Sequence, residues 1–148
     1  MRIKNFNEND RNKIFDMMRR FYDSPALIHH SSDEILNRDI DDCLDEKNIL
    51  VEGFTFWEND SIIGYGICSR NYTTEYGGVC IWVEDLFFEE AYCNKGLSKE
   101  FFEFIENNYP EAVRFKLEVE TENQRAIKSY EKNGYKDFGY NLMTKEMI

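Results

Sequence analysis

This sequence has few of the features that mark a membrane, nucleic-acid-binding or disulfide-rich protein. Its 148 residues include 18 lysines and arginines against 29 aspartates and glutamates, a formal net charge of -11. Nucleic acids and anionic membranes are bound through basic surfaces, so this balance argues against both as partners. Residues 1–5 have no apolar leader, and no later run approaches the ~20 apolar residues of a membrane span.

Cysteine and histidine are arranged neither as a disulfide framework nor as a metal site. The four cysteines are Cys43, Cys68, Cys80 and Cys93. They show no C-x-x-C spacing, and a reducing cytoplasm is the expected compartment. His29 and His30 have no carboxylate or cysteine partners at ligand spacing, so we expect no metal. No cysteine and no serine–histidine arrangement indicates a covalent catalytic intermediate.

What the chain does have is the composition of one folded domain. Aromatic residues make up 16% of it and hydrophobic residues 42%, which excludes disorder as the default. It has no repeat, low-complexity tract or linker, so we expect residues 1–148 to form a single domain.

Hydrophobic periodicity predicts the order of the elements. Strands are predicted over 2–6, 49–57, 61–69, 79–88, 115–119, 135–140 and 142–147; helices over 9–21 and 33–44, from 97 to Pro110, and from Thr121 to Gly134; and a polar loop over 70–78. Asn9, either Ser31 or Ser32, and Thr121 with Gln124 are the predicted helix caps. This order is typical of an α/β (α+β) fold.

The chain is organised around a buried strand that leads into a helix through a short polar loop. Residues 79–88 form a near-continuous apolar run, which Glu84 and Asp85 interrupt. After the loop, apolar residues recur at helical spacing. Unpaired N–H groups at such a helix start form an anion site, and the helix dipole adds to it. Gly96 permits close approach of a ligand there, and Lys95 adds a charge.

A second pattern follows further along the chain. Asn123, Ala126, Ile127 and Tyr130 recur at i, i+3, i+4 and i+7, so an amide and a phenol share one face of a helix. Gly134 stands where a left-handed residue ends a helix.

Together these patterns resemble the GNAT family of acetyl-CoA-dependent N-acetyltransferases. The loop over 93–98 is similar to the family's pyrophosphate motif, Gln/Arg-x-x-Gly-x-Gly/Ala, but has Cys93 and Ser98 at its first and last positions. The segment 123–135 matches Asn-x-x-Ala-x-x-x-Tyr-x-x-x-Gly-Phe/Tyr at every named position. The segment 82–88 is most similar to the diamine and polyamine acetyltransferase branch.

The resemblance implies a mixed, mostly antiparallel sheet with about four helices. Its fourth and fifth strands would splay apart to admit the pantetheine arm of acetyl-CoA, the co-substrate. The residues it assigns to acetyl-CoA are Leu86, Phe87, Phe88, Cys93, Asn94, Lys95, Gly96, Leu97, Ser98, Lys99, Asn123 and Ala126. Cys93 and Ser98 leave the strength of acetyl-CoA binding open, because a guanidinium that could pair with phosphate is missing.

Two residues are candidates for the chemistry that the resemblance implies. Tyr130 would protonate the departing thiolate, because a phenol stays protonated at pH 7. Glu84 would accept a proton from the amine or position it, since a carboxylate in a buried strand needs a partner or a cleft. The alternative for Glu84 is a structural carboxylate bonded to backbone or to Arg70. Glu84 and Asp85 should point to opposite faces of the strand, so only one addresses the site.

The acceptor side is inferred from the resemblance alone. Tyr22, in the loop after the first helix, and Tyr72 or Tyr76, in the loop before the central strand, are expected to wall the acceptor pocket with Glu84. We expect acetyl transfer to a primary amine by direct attack in a ternary complex, and the net charge favours a small cationic amine. A protein N-terminal or lysine amine, a catalytically silent acyl-CoA sensor, and a homodimer all stay open.

Overall fold

A five-stranded sheet forms the centre of the structure, a computed structural model that describes residues 1–25, 27 and 29–147. Its strands are β1 Arg2–Asn5, β2 Val51–Glu58, β3 Ser61–Thr73, β4 Gly78–Phe88 and β5 Ala112–Leu117. The helices are α1 Arg11–Tyr22, α2 Asp33–Leu44, α3 Leu97–Asn108 and α4 Gln124–Lys132. Neighbouring strands are antiparallel except β4 and β5, which are parallel. The predicted mixed, mostly antiparallel sheet is confirmed.

Helices cover both faces of this sheet and bury two clusters of apolar side chains. On one face, α1 and α2 contribute Ile14, Met17, Met18, Leu36 and Ile40, which pack with Tyr65 and Ile67 of β3. On the other face, α3 contributes Phe101, Phe102 and Ile105, which pack with Phe54 and Phe56 of β2. Each fully buried side chain of this kind stabilises the fold by roughly 1.5–3 kcal/mol.

Local sequence signals fix several of the element boundaries. The Ser32 hydroxyl accepts a hydrogen bond of 3.4 Å from the Ile35 N–H, so the predicted cap of α2 is confirmed. The first helix differs from its prediction. Asn7, rather than Asn9, caps a short 3-10 turn at Glu8–Asp10, and α1 follows directly.

The end of α4 is closed by the left-handed residue that the sequence predicts. Gly134 has φ +87°, its N–H donates to the Glu131 carbonyl at 3.0 Å, and the Tyr135 N–H donates to the Tyr130 carbonyl at 3.1 Å. These two bonds form a Schellman motif. The accompanying contact between Tyr130 and Tyr135, with ring centroids 6.2 Å apart, fixes the direction in which the chain leaves the helix.

Two predictions about the strands are wrong. Residues 70–73 continue β3 instead of starting a loop, because they pair with residues 78–81 of β4. Residues 135–140 and 142–147 form no strand within the part of the chain described, where β5 pairs only with β4. Gly139, at φ +75°, breaks the extended run, and Tyr140, Leu142 and Met143 are exposed rather than packed against a sheet.

No helix among the described residues has the length and apolarity that a membrane crossing requires.

Candidate functional site

A gap opens in the sheet where β4 and β5 part. Their pairing ends at Val83 and Leu117, and residues 85–88 of β4 pair only with β3. The second edge of this segment therefore presents backbone groups that no strand of the described chain satisfies. An extended, amide-rich ligand can pair with such an edge as an added strand does. The splay predicted between the fourth and fifth strands is confirmed.

The loop below this gap forms a cradle of backbone amides. Asn94 has φ +63° and Gly96 has φ +78°, so two residues of the loop take the left-handed conformation. Among the described residues, no acceptor receives a hydrogen bond from the N–H groups of residues 94–98. These donors lie at the positive end of the α3 dipole, which suits a phosphate ligand. Lys95 Nζ adds a charge and lies 4.6 Å from the centre of the Tyr92 ring.

The two departures from the family motif have structural partners of their own. The Cys93 thiol contacts the Phe88 carbonyl oxygen at 3.7 Å, at the end of β4. Ser98 Oγ lies 3.1 Å from Ser129 Oγ, which joins the first turn of α3 to α4. A small residue at position 98 therefore allows the two helices to approach, and its hydroxyl adds a hydrogen bond between them.

Asn123 caps the N-terminus of α4. Its Oδ1 accepts a hydrogen bond of 3.2 Å from the Ala126 N–H, so Asn123 and not Thr121 is the cap. Thr121 instead accepts through its carbonyl from the Gln124 side chain, at 2.8 Å. The Asn123 NH₂ group donates to no residue that the structure describes, and it is free to bind a ligand. Asn123 lines a cavity of about 290 Å³ with Pro25, Glu120 and Glu122.

Tyr130 lies on the same helix with its ring half-buried. The ring contacts Phe102 edge-on, with centroids 5.9 Å apart, and packs against the apolar cluster between α3 and the sheet. Burial raises the pKa of the Tyr130 phenol above its ordinary value, so the group is protonated at neutral pH. Its hydroxyl has no hydrogen-bond partner among the residues described, which leaves its proton available.

Glu84 occupies an irregularity in β4. Val83 pairs with Cys68 and Asp85 with Ile67, so Glu84 is the extra residue of a β-bulge. Its side chain is exposed, and the Ser69 hydroxyl donates a hydrogen bond to it. The alternative partner suggested by the sequence, Arg70, pairs instead with Glu111 and Glu52.

Asp85 is a buried carboxylate beside Glu84 that was not among the predicted site residues. It is only 3% exposed, and its two oxygens accept hydrogen bonds from Tyr22 Oη at 3.1 Å and Tyr65 Oη at 2.9 Å. Burial raises the pKa of Asp85 to about 7, against the two tyrosine hydrogen bonds, which lower it. The sequence signal that could have indicated this buried pair was an acidic residue beside Glu84 in an apolar strand, together with Tyr65 in the apolar run of β3.

The predicted acceptor walls lie in two different places. Tyr22 is the last residue of α1 rather than part of a loop, and it meets β4 beside Glu84 through Asp85. Tyr72 pairs with Val79 at the other end of β4 and is 67% exposed. Five residues of strand separate Val79 from Glu84, a distance of ~17 Å at ~3.3 Å per residue. The structure does not bring Tyr72 to Glu84.

Comparisons with known proteins agree with this geometry. Residues 12–135 match the model of the acetyltransferase (GNAT) family. No curated protein matches the chain.

Solved structures share the fold at low identity. A possible acetyltransferase from Clostridium difficile 630 superposes with a TM-score of 0.83 at 19% identity, over 99% of this chain and 97% of that one. AAC(6')-Iy in complex with the bisubstrate analog CoA-S-monomethyl-acetylneamine gives a TM-score of 0.80 at 12% identity, over 99% and 98%. The aminoglycoside antibiotic 6'-N-acetyltransferase AAC(6')-IG from Acinetobacter haemolyticus gives 0.78 at 12% identity, over 100% and 99%. These likenesses concern the fold.

Proposed function

Since the chain belongs to the acetyltransferase (GNAT) family, we propose that this acetyl-CoA-dependent N-acetyltransferase acts on a small primary amine by direct attack in a ternary complex. One observation carries the proposal. The unpaired edge of residues 84–88 and the unpaired amides of residues 94–98 lie in one continuous stretch of chain, at the point where β4 leaves β5. This arrangement fits a ligand with an amide-rich arm and a pyrophosphate.

The residues that would hold acetyl-CoA divide by the part they bind. The N–H groups of residues 94–98 would bind the pyrophosphate, assisted by Lys95. Backbone groups of Leu86, Phe87 and Phe88 would pair with the pantetheine arm, and the Asn123 NH₂ would donate to it from the facing helix. The absence of an arginine at position 93 leaves backbone amides as the main phosphate ligands in this loop.

The proposed chemistry needs two proton movements, and acetyl-CoA supplies the thioester. An acceptor amine with an ordinary pKa near ~10.4 is protonated at pH 7 and must lose a proton before it attacks. Glu84 would take that proton, directly or through water. Tyr130 would donate its hydroxyl proton to the sulfur as the carbon–sulfur bond breaks. An N–H of residues 86–88 would stabilise the charge that develops on the thioester oxygen.

Acidic side chains support a cationic acceptor. Burial raises the pKa of both Asp39 of α2 and Asp85, and the charge of the nearby Glu84 raises both pKa values further. Glu120 and Glu122 line the cavity beside Asn123. An ammonium group would therefore be attracted to this side of the gap. The likeness to the diamine and polyamine branch rests on residues 82–88 alone.

Two alternatives make different predictions. A protein N-terminal or lysine amine would need a peptide as acceptor. A silent acyl-CoA sensor would bind acetyl-CoA without turnover, and the departures at Cys93 and Ser98 are what favours it. The Tyr130 hydroxyl and the Asn123 NH₂ group, which bond to no described residue, favour an enzyme.

An acetylation assay with acetyl-CoA and a panel of amines and peptides tests the proposal, with products identified by mass spectrometry. We expect small amines to be acetylated, with kcat/KM falling as salt is raised because the acidic field is screened. Acetylation of peptides alone would select the first alternative. Acetyl-CoA binding with no turnover on any acceptor would select the second.

A further inference from the structure

A second cavity lies beside β5, on the same face of the sheet as α1 and α2. It has a volume of about 350 Å³, and Arg114, Lys116, Tyr72, Phe138 and Tyr140 are among the residues that line it. Arg114 and Lys116 alternate along β5 with Phe115 and Leu117, which pack against the apolar cluster between α3 and the sheet. The two cations therefore project from the opposite face.

This cavity is positively charged in a strongly acidic chain. Arg114 Nη1 pairs with Glu75 Oε2 at 2.9 Å, which compensates one of the two cations. Among the described residues, Lys116 has no carboxylate within ion-pairing distance. Its Nζ lies 5.2 Å from the centre of the Trp82 ring and 4.6 Å from that of Phe138. Flanking rings exclude water from one side of the ammonium and strengthen its attraction for an anion.

The uncompensated ammonium lies close to Glu84. Lys116 pairs with Trp82, two residues before Glu84 on the neighbouring strand. Ser69, which donates to Glu84, pairs with the same Trp82 on the other side, so Glu84 and Lys116 share one face of the sheet. With ~4.8 Å between strands and ~3.3 Å per residue, their Cα atoms are ~8 Å apart. A single small molecule can reach both side chains.

We propose that the acceptor is an amine that also bears a carboxylate, with its nitrogen beside Glu84 and its carboxylate on Lys116. The inference rests on the proposed function and narrows its substrate class. One uncompensated positive charge matches one negative charge, and the Trp82 and Phe138 rings beside Lys116 suit an apolar or aromatic portion of the same molecule. A diamine would place its second ammonium against Lys116, which is unfavourable.

Matched pairs of amines that differ only in a carboxylate test the proposal: tyrosine and tyramine, lysine and cadaverine, arginine and agmatine. We expect the carboxylated member of at least one pair to have the higher kcat/KM. Lys116→Met keeps the aliphatic stem between the two rings and should lower that value about tenfold or more, while the partner amine changes little. Lys116→Arg should restore it. Lys47→Met, at an exposed lysine of the α2–β2 loop, makes the same change in net charge and is the control.

Calorimetry separates this inference from the proposed function. The N-acetylated carboxylic acids keep the negative charge and lack the amine, so we expect them to bind the wild type several-fold more tightly than Lys116→Met. The inference would be overturned if only the amines without a carboxylate were acetylated, or if Lys116→Met lowered kcat/KM equally for both members of a pair. Either result would leave the proposed function intact. If no amine is acetylated, the proposed function fails. Equal binding of the N-acetylated carboxylic acids to the wild type and to Lys116→Met would overturn the inference as well.

Discussion

Tyr22 Oη donates a hydrogen bond of 3.1 Å to Asp85 Oδ1, which ties the last residue of α1 to the strand position beside Glu84. Tyr65 Oη occupies the other carboxyl oxygen at 2.9 Å. The start of the α1–α2 loop is thereby fixed against the bulge of β4. Because Pro25 of that loop lines the cavity beside Asn123, the same contact helps to position one wall of that cavity.

The buried Asp85 carboxyl should make stability depend on pH. Its pKa is about 7 in the folded chain because burial disfavours the charge, against an ordinary value of 3.8. Between these values the folded chain holds a proton that the unfolded chain has released. The free energy of unfolding should therefore fall as pH rises from about 4 to about 7, and level off above it.

Asp85→Asn should remove most of that pH dependence, as urea unfolding from pH 4 to 8 will show. Tyr65→Phe is the matched control, because it keeps the carboxyl and removes a hydrogen bond that favours its charged form. The control should retain the slope. Identical profiles for the wild type and Asp85→Asn would contradict the assignment of the buried proton.

Tyr130→Phe should lower kcat by about 10²-fold or more, because the proton donor for the thiolate is lost. The KM for acetyl-CoA should change little, and so should stability, since the Tyr130 hydroxyl bonds to no described residue. Tyr135→Phe removes a hydroxyl from the neighbouring ring of the same cluster and should leave kcat unchanged. Equal rates for the two variants in a steady-state assay would exclude Tyr130 as the acid.

Glu84→Gln should lower kcat/KM for the amine at pH 7, by about 10²-fold if Glu84 is the proton acceptor. The deficit should shrink as pH approaches the amine's own pKa, because free amine then reaches the site without help. A pH–rate profile from pH 6 to 10 measures this. A variant with full kcat/KM across that range would leave Glu84 as a structural partner of Ser69.

Gly96→Ala should raise the KM for acetyl-CoA several-fold. No atom would clash with the added Cβ, but φ +78° is unfavourable for alanine by about 1 kcal/mol or more, so the amide cradle should shift. Gly134→Ala is the matched control, since its φ is +87° and its surroundings are equally open. Both variants should lose similar stability in thermal unfolding. An equal rise in KM for both would show that strain alone, and not the loop, is responsible.

Several parts of the molecule could be predicted because the signals are local. Ser32 caps α2 and Gly134 ends α4, each through contacts within a few residues. The loop over 93–98 was likewise read correctly as a helix start with unpaired N–H donors, whereas the predicted cap of α4 at Thr121 was wrong and Asn123 takes that place. The apolar alternation of residues 135–147 was misread, because Gly139 interrupts it and no strand among the described residues pairs with it.

The sequence by itself determined the four helices, the order of the first five strands and the amide loop, since short-range periodicity and capping specify them. Only the tertiary structure decided which carboxylate is buried, because the bulge at Glu84 depends on the register of β3 against β4. Tertiary structure also decided that Tyr22 reaches Asp85 and that Lys116 lies near Glu84. These relationships join residues 32 to 63 positions apart, and only strand pairing and helix packing fix such distances.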